Sequence, residues 1–125
     1  MLASRIALLV SLCGIGCAVA QLLPLEQRIV GTWQFSGIDA TGRMSFRADH
    51  TCSTMFPLSG LHDWKVVTRG TWRIEGHYLV VAERDAFKPP LARGPAAPIR
   101  RTRVPIRFIS DDKFDLDRVI MKRVQ

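Results

Sequence analysis

Trp64-Lys65-Val66-Val67-Thr68-Arg69-Gly70-Thr71-Trp72-Arg73-Ile74 is the stretch whose pattern decides the fold. Trp64, Val66, Thr68, Gly70, Trp72 and Ile74 share one face of an extended chain, and Lys65, Val67, Arg69, Thr71 and Arg73 share the other. Side chains alternate between the two faces of a strand, so this pattern predicts a long, half-buried strand. Glu75-Gly76-His77 reads as the turn that ends it. Tyr78 to Glu83 follows as its hairpin partner, with Leu79 and Val81 inward.

The same period extends in both directions. Upstream, Gly31, Trp33 and Phe35 alternate with Thr32 and Gln34, and Met44 and Phe46 alternate with Arg43, Ser45 and Arg47. Ala48-Asp49-His50 then turns the chain into Thr51 to Met55, and histidine tolerates positive φ better than most residues. Leu22 to Arg28 is a lead-in with one helical turn after Pro24, placing Leu25 and Ile29 over the end of a barrel. Downstream, the prolines of 87–98 exclude a central strand, because each removes a ladder donor. Thr102, Val104, Ile106 and Phe108 then alternate with Arg101, Arg103, Pro105 and Arg107. After an Asp111-Asp112-Lys113 turn, a final strand starts at Phe114, loses phase near Asp117-Arg118 and resumes through Val124. Short strands at regular spacing, with no sustained helical period past residue 20, predict an all-β, antiparallel, meandering barrel.

Gly-Thr-Trp occurs twice, at 31–33 and 70–72. Glycine two positions before tryptophan leaves an empty place beside the largest side chain on the same face, where a ring or a backbone can approach. Two such tryptophans are expected to build much of one core. Together with Phe46-Arg47-Ala48-Asp49-His50-Thr51, Arg73-Ile74-Glu75-Gly76 and the closing Met121-Lys122-Arg123, these motifs make the chain resemble small bacterial lipocalin-like proteins of the calycin group. The resemblance spans nearly all of 21–125 and implies a small up-and-down β-barrel in which Trp33 closes one end beneath a C-terminal arginine such as Arg123. The chain is shorter than the true lipocalins and shows no sign of the helix that follows their last strand.

The organisation before the barrel is set by Met1 to Ala20, which has one early charge, Arg5, an apolar run, and Ala18-Val19-Ala20 ahead of Gln21. That is the layout of a secretory signal peptide, giving a signal over 1–20, a barrel domain over 21–125 and a periplasmic or secreted destination. Gly16-Cys17 offers the competing outcome of a lipoprotein. With Cys13 and Cys17 in the signal, Cys52 stands alone and is expected as a buried small hydrophobe. The formal charge is +7, of which Arg5 supplies one, and bases balance acids six to six from Gln21 to Glu83, so the remaining excess of +6 lies from Arg84 onward. Between Ala86 and Ser110 there are six bases and no acid.

No constellation carries catalysis. His50, Cys52 and the His62-Asp63 pair match no closed zinc spacing, and Asp111, Asp112, Asp115 and Asp117 lack the glycine and glutamate of a calcium loop. No cofactor or metal is expected. The expectation is therefore a monomeric, non-catalytic binding module for a small apolar or anionic ligand or an envelope protein. Its candidate residues are Trp33, with Trp64 and Trp72 near the barrel mouth, and Arg101, Arg103 and Arg107 on a basic outer face. The arginine fork suits phosphate and carboxylate, which also allows contact with an anionic membrane surface. Nucleic acid fits poorly, since the basic stretch has only Phe87 and Phe108 to stack on bases. The alternative is an inhibitor of a secreted or envelope enzyme that inserts loop 88–98. Asp115 and Asp117 are also placed to pair with Arg101, Arg103 or Arg107 across strands.

Overall fold

The computed structural model of the protein describes residues 21–37, 40–57, 63–86 and 97–124. The signal expected over 1–20 and most of the 88–98 loop lie outside them. Helix α1 (Pro24–Ile29) precedes eight strands: β1 (Gly31–Ser36), β2 (Thr41–Phe46), β3 (Thr51–Pro57), β4 (Trp64–Glu75), β5 (Tyr78–Asp85), β6 (Arg100–Ser110), β7 (Lys113–Leu116) and β8 (Val119–Arg123). Each strand pairs antiparallel with the next, and β8 returns to β1 through Trp33↔Arg123 and Gln34↔Lys122, closing the barrel. Closure removes both free sheet edges.

The up-and-down order fixes two different ends. Helix α1 and the β2–β3, β4–β5 and β6–β7 turns gather at one, here the helix end. The other four connections leave from the far end. The helix starts because Pro24 takes its first position, where no N–H is needed, and because the Glu26 carboxylate reaches back to the Leu23 N–H at 2.9 Å. Ile29 plugs the barrel and is fully buried, with Leu25 packed beside it.

Trp33, Trp72, Phe46, Phe114, Leu79, Met121 and Ile29 fill the helix end, all with at most 2 % of their surface exposed. The rings meet edge to face, Trp33 on Phe114 at 4.5 Å and Phe46 on Trp72 at 5.5 Å, the geometry that aromatic quadrupoles favour. Both Gly-Thr-Trp glycines are spaces, as expected. A Cβ at Gly31 would lie 2.7 Å from the Arg123 guanidinium, and one at Gly70 would clash with the Ala82 carbonyl oxygen. His50 takes positive φ in the β2–β3 turn.

Two expectations change. The last strand is two strands: Asp117 and Arg118 both have positive φ, which makes the phase break a two-residue hairpin turn between β7 and β8. Asp117 suits the first position of such a turn, but Arg118 replaces the usual glycine at the second, so the sequence hides it. The second change is in β4. Thr54 pairs with Thr68 but Met55 pairs with Val66, so Val67 is an extra residue in the ladder. A bulge inverts the face of everything beyond it. Met55 also pairs with Arg43, whose neighbour across the sheet, Gln34, faces outward, so Val66 and Trp64 stand on the outer wall. The sequence had placed them inside with Trp72.

Candidate functional site

At the helix end the chemistry is structural. Glu26 is 3 % exposed and its carboxylate accepts three hydrogen bonds, from Leu23 N, from Ile74 N at 3.0 Å and from His50 Nε2 at 3.1 Å. Burial pushes its pKa up, but the bonds from Leu23, Ile74 and His50 outweigh burial and hold it below the ordinary 4.5. The His50 ring also lies tilted against Trp72, 5.2 Å between centroids. This residue is thus a tie between plug and barrel, and no cluster of three metal-ligating side chains occurs among the described residues.

Trp33 and Trp72 offer no surface to a ligand. Their indole N–H groups donate to the Ile29 and Arg47 carbonyls, at 2.7 and 3.1 Å. Arg123 lies over Trp33, 4.3 Å from the ring, and donates to the Val30 and Arg28 carbonyls. The arrangement implied by the resemblance, tryptophan closing one end under a C-terminal arginine, is present. Trp64 is separate from both: on the outer wall the Arg43 guanidinium covers its ring at 4.1 Å. Cys52 is buried, and burial pushes its thiol up to about 11.

The far half of the interior is less filled. Phe35, Met44, Val104, Leu116, Val119 and Met121, with Asp117 at the rim, line a recess of about 300 Å³. Val119 is 40 % exposed although it follows the inward phase of Met121. Across the same half Thr68 Oγ1 donates to the inward Glu83 carboxylate at 3.0 Å, giving the interior a polar side.

The basic outer face divides. Arg103 lies 3.8 Å from Glu75 and covers the Tyr78 ring at 3.9 Å, and Arg107 lies 3.7 Å from Asp115, directly opposite it. Cross-strand pairing with Asp115 was expected, and it takes up Arg107. Arg101 has no acid partner among the described residues. It borders instead an outer groove of about 390 Å³ lined also by Arg69, Gly70, Thr71, Ala82, Glu83, Arg84 and Ile99. Sequence reasoning missed Arg69 and Arg84 here, because only the β4–β5–β6 register brings them beside Arg101.

Compared with known proteins, the chain matches no family model, no curated protein and no solved structure. What the fold defines is a class, the small eight-stranded closed up-and-down barrel with one end plugged by a helix.

Proposed function

We propose that the protein is an exported, non-catalytic binding protein of the lipocalin-like type that takes a small apolar ligand into the far half of its barrel. The observation that carries this reading is the contrast between the two halves. One is packed with fully buried rings, while the other leaves Val119 exposed beside a recess lined by Phe35, Met44, Val104 and Leu116. A recess of about 300 Å³ falls at the lower end of the range for small-molecule sites, ~300–1,000 Å³. Its apolar lining supplies affinity, and Asp117 is the polar side chain at its rim.

The test uses a neutral apolar fluorophore, N-phenylnaphthylamine, so that charge on the outer wall does not contribute. Binding is expected to saturate at one equivalent and to weaken at least tenfold when Leu116→Phe and Val119→Phe fill the recess. Equal affinity in the filled variant rejects the reading.

A further inference from the structure

We propose that the outer wall of β4, β5 and β6 carries an anion site, formed by Arg69, Arg84 and Arg101, for a group bearing two or more negative charges of the phosphomonoester or pyrophosphate class. It is distinct from the recess inside the barrel, since these arginines alternate with the inward Gly70, Val81 and Thr102 phase.

The register sets the geometry. Arg69 lies directly opposite Arg84, and Arg101 lies opposite Ala82, the residue two before Arg84 on the same face. Directly opposed side chains have Cβ atoms ~4.5–5.5 Å apart and diagonal neighbours are ~7–8 Å apart, within reach of a long side chain. All three arginines therefore border one groove. Between them lie Gly70, Thr71 and Ala82, side chains too short to fill the groove, together with Glu83, whose carboxylate is turned to Thr68, and the groove measures about 390 Å³.

Nothing described neutralises these charges. The acids nearby are engaged elsewhere: Glu83 points inward to Thr68, Asp85 accepts from Arg100 at 2.9 Å, and Glu75 holds Arg73 and Arg103. The other arginines of β4 and β6, namely Arg73, Arg100, Arg103 and Arg107, each meet an acid. Like charges placed directly opposite each other destabilise a sheet. An anion between them reverses that sign.

Phosphate is the group the chemistry selects. The planar guanidinium fork meets two phosphate oxygens at once, and a dianion answers clustered arginines better than a single carboxylate does. Ile99, 49 % exposed at the groove edge, gives an apolar contact for the substituent of a phosphoester.

The experiment is calorimetric titration of the purified protein with pyrophosphate at low ionic strength. Saturable one-to-one binding is expected, weakened at least tenfold in Arg84→Gln and lost in Arg69→Gln/Arg84→Gln. Arg103→Gln and Arg107→Gln, whose charges are already paired, should change affinity less than twofold. The melting temperature of unliganded Arg84→Gln should equal or exceed that of the parent, which separates loss of a site from loss of folding. Non-saturable binding, or equal loss in all four single-site variants Arg69→Gln, Arg84→Gln, Arg103→Gln and Arg107→Gln, overturns the proposal in favour of diffuse charge. Parallel arms with glycerol phosphate and with phosphatidate vesicles distinguish a soluble phosphoester from a lipid headgroup. The neutral fluorophore of the barrel recess should bind the arginine variants unchanged.

Discussion

Replacing Glu26 by Gln tests the claim that one buried carboxylate fastens the helix to the barrel. The carboxylate uses both oxygens: Oε1 accepts from Leu23 N, and Oε2 accepts from Ile74 N and His50 Nε2. An amide has one acceptor oxygen. If it keeps Ile74 and His50, its NH₂ faces the Leu23 N–H, donor against donor. A stranded donor costs ~1–3 kcal/mol, and hydrogen bonds to a charged group, ~1.5–3 kcal/mol, fall toward the neutral value of ~0.5–1.5 kcal/mol. Because Leu23 is half exposed, its stranded donor belongs at the low end, and the expected loss is ~2–3 kcal/mol. At ~4–8 °C per kcal/mol for a domain of this size, that lowers Tm by ~10–20 °C.

The pH dependence gives a second, independent reading of the same tie. The folded pKa of Glu26 is depressed below 4.5, so its contribution is fully present above that value and is lost as pH falls through the folded pKa. The Gln variant carries no such contribution. Urea denaturation followed by tryptophan fluorescence should show the full stability gap at pH 7 and pH 6 and a narrower one at pH 3. A gap under ~0.5 kcal/mol at pH 7, within the range of ordinary surface substitutions, would refute the reasoning, as would a gap undiminished at pH 3.

Three further outcomes follow from other contacts. Arg123→Lys keeps the charge but cannot cover Trp33 while donating to Val30, Arg28 and Asp111 together, so it should destabilise by ~1–3 kcal/mol in thermal melts. Asp117→Asn with Arg118→Gly relieves two positive-φ positions in the β7–β8 turn and should raise Tm, by an amount equivalent to ~1 kcal/mol or more. The Cys52 thiol, buried and raised to about 11, should stay unreactive toward an aromatic disulfide reagent at pH 8 and react at once in denaturant, with burial the dominant cause.

How far the sequence reaches is clearest where the chain breaks its own pattern. The Gly-Thr-Trp repeats, the alternation through Trp72 and Leu79, and the His50 turn each read correctly, because the period of two and the sterics of glycine act over a few residues. Trp64 did not. Its phase depends on whether Val67 is accommodated as a bulge, which is decided by the pairing of β3 with β4. The Asp117-Arg118 turn was visible only as a lost phase, since Asp117 tolerates positive φ but Arg118 stands where such a turn ordinarily has glycine.

By itself the sequence determined the class of fold, the strands that face inward at Trp33 and Trp72, and a net positive charge concentrated after Arg84. Those are properties of local alternation and composition. Tertiary structure alone decided which charges matter. Glu26 becomes a buried tie because β4 brings the Ile74 N–H over the helix, 48 positions along the chain. Arg103 and Arg107 meet acids while Arg69, Arg84 and Arg101 border one groove, because cross-strand neighbours are fixed by register, and register depends on how the whole barrel closes.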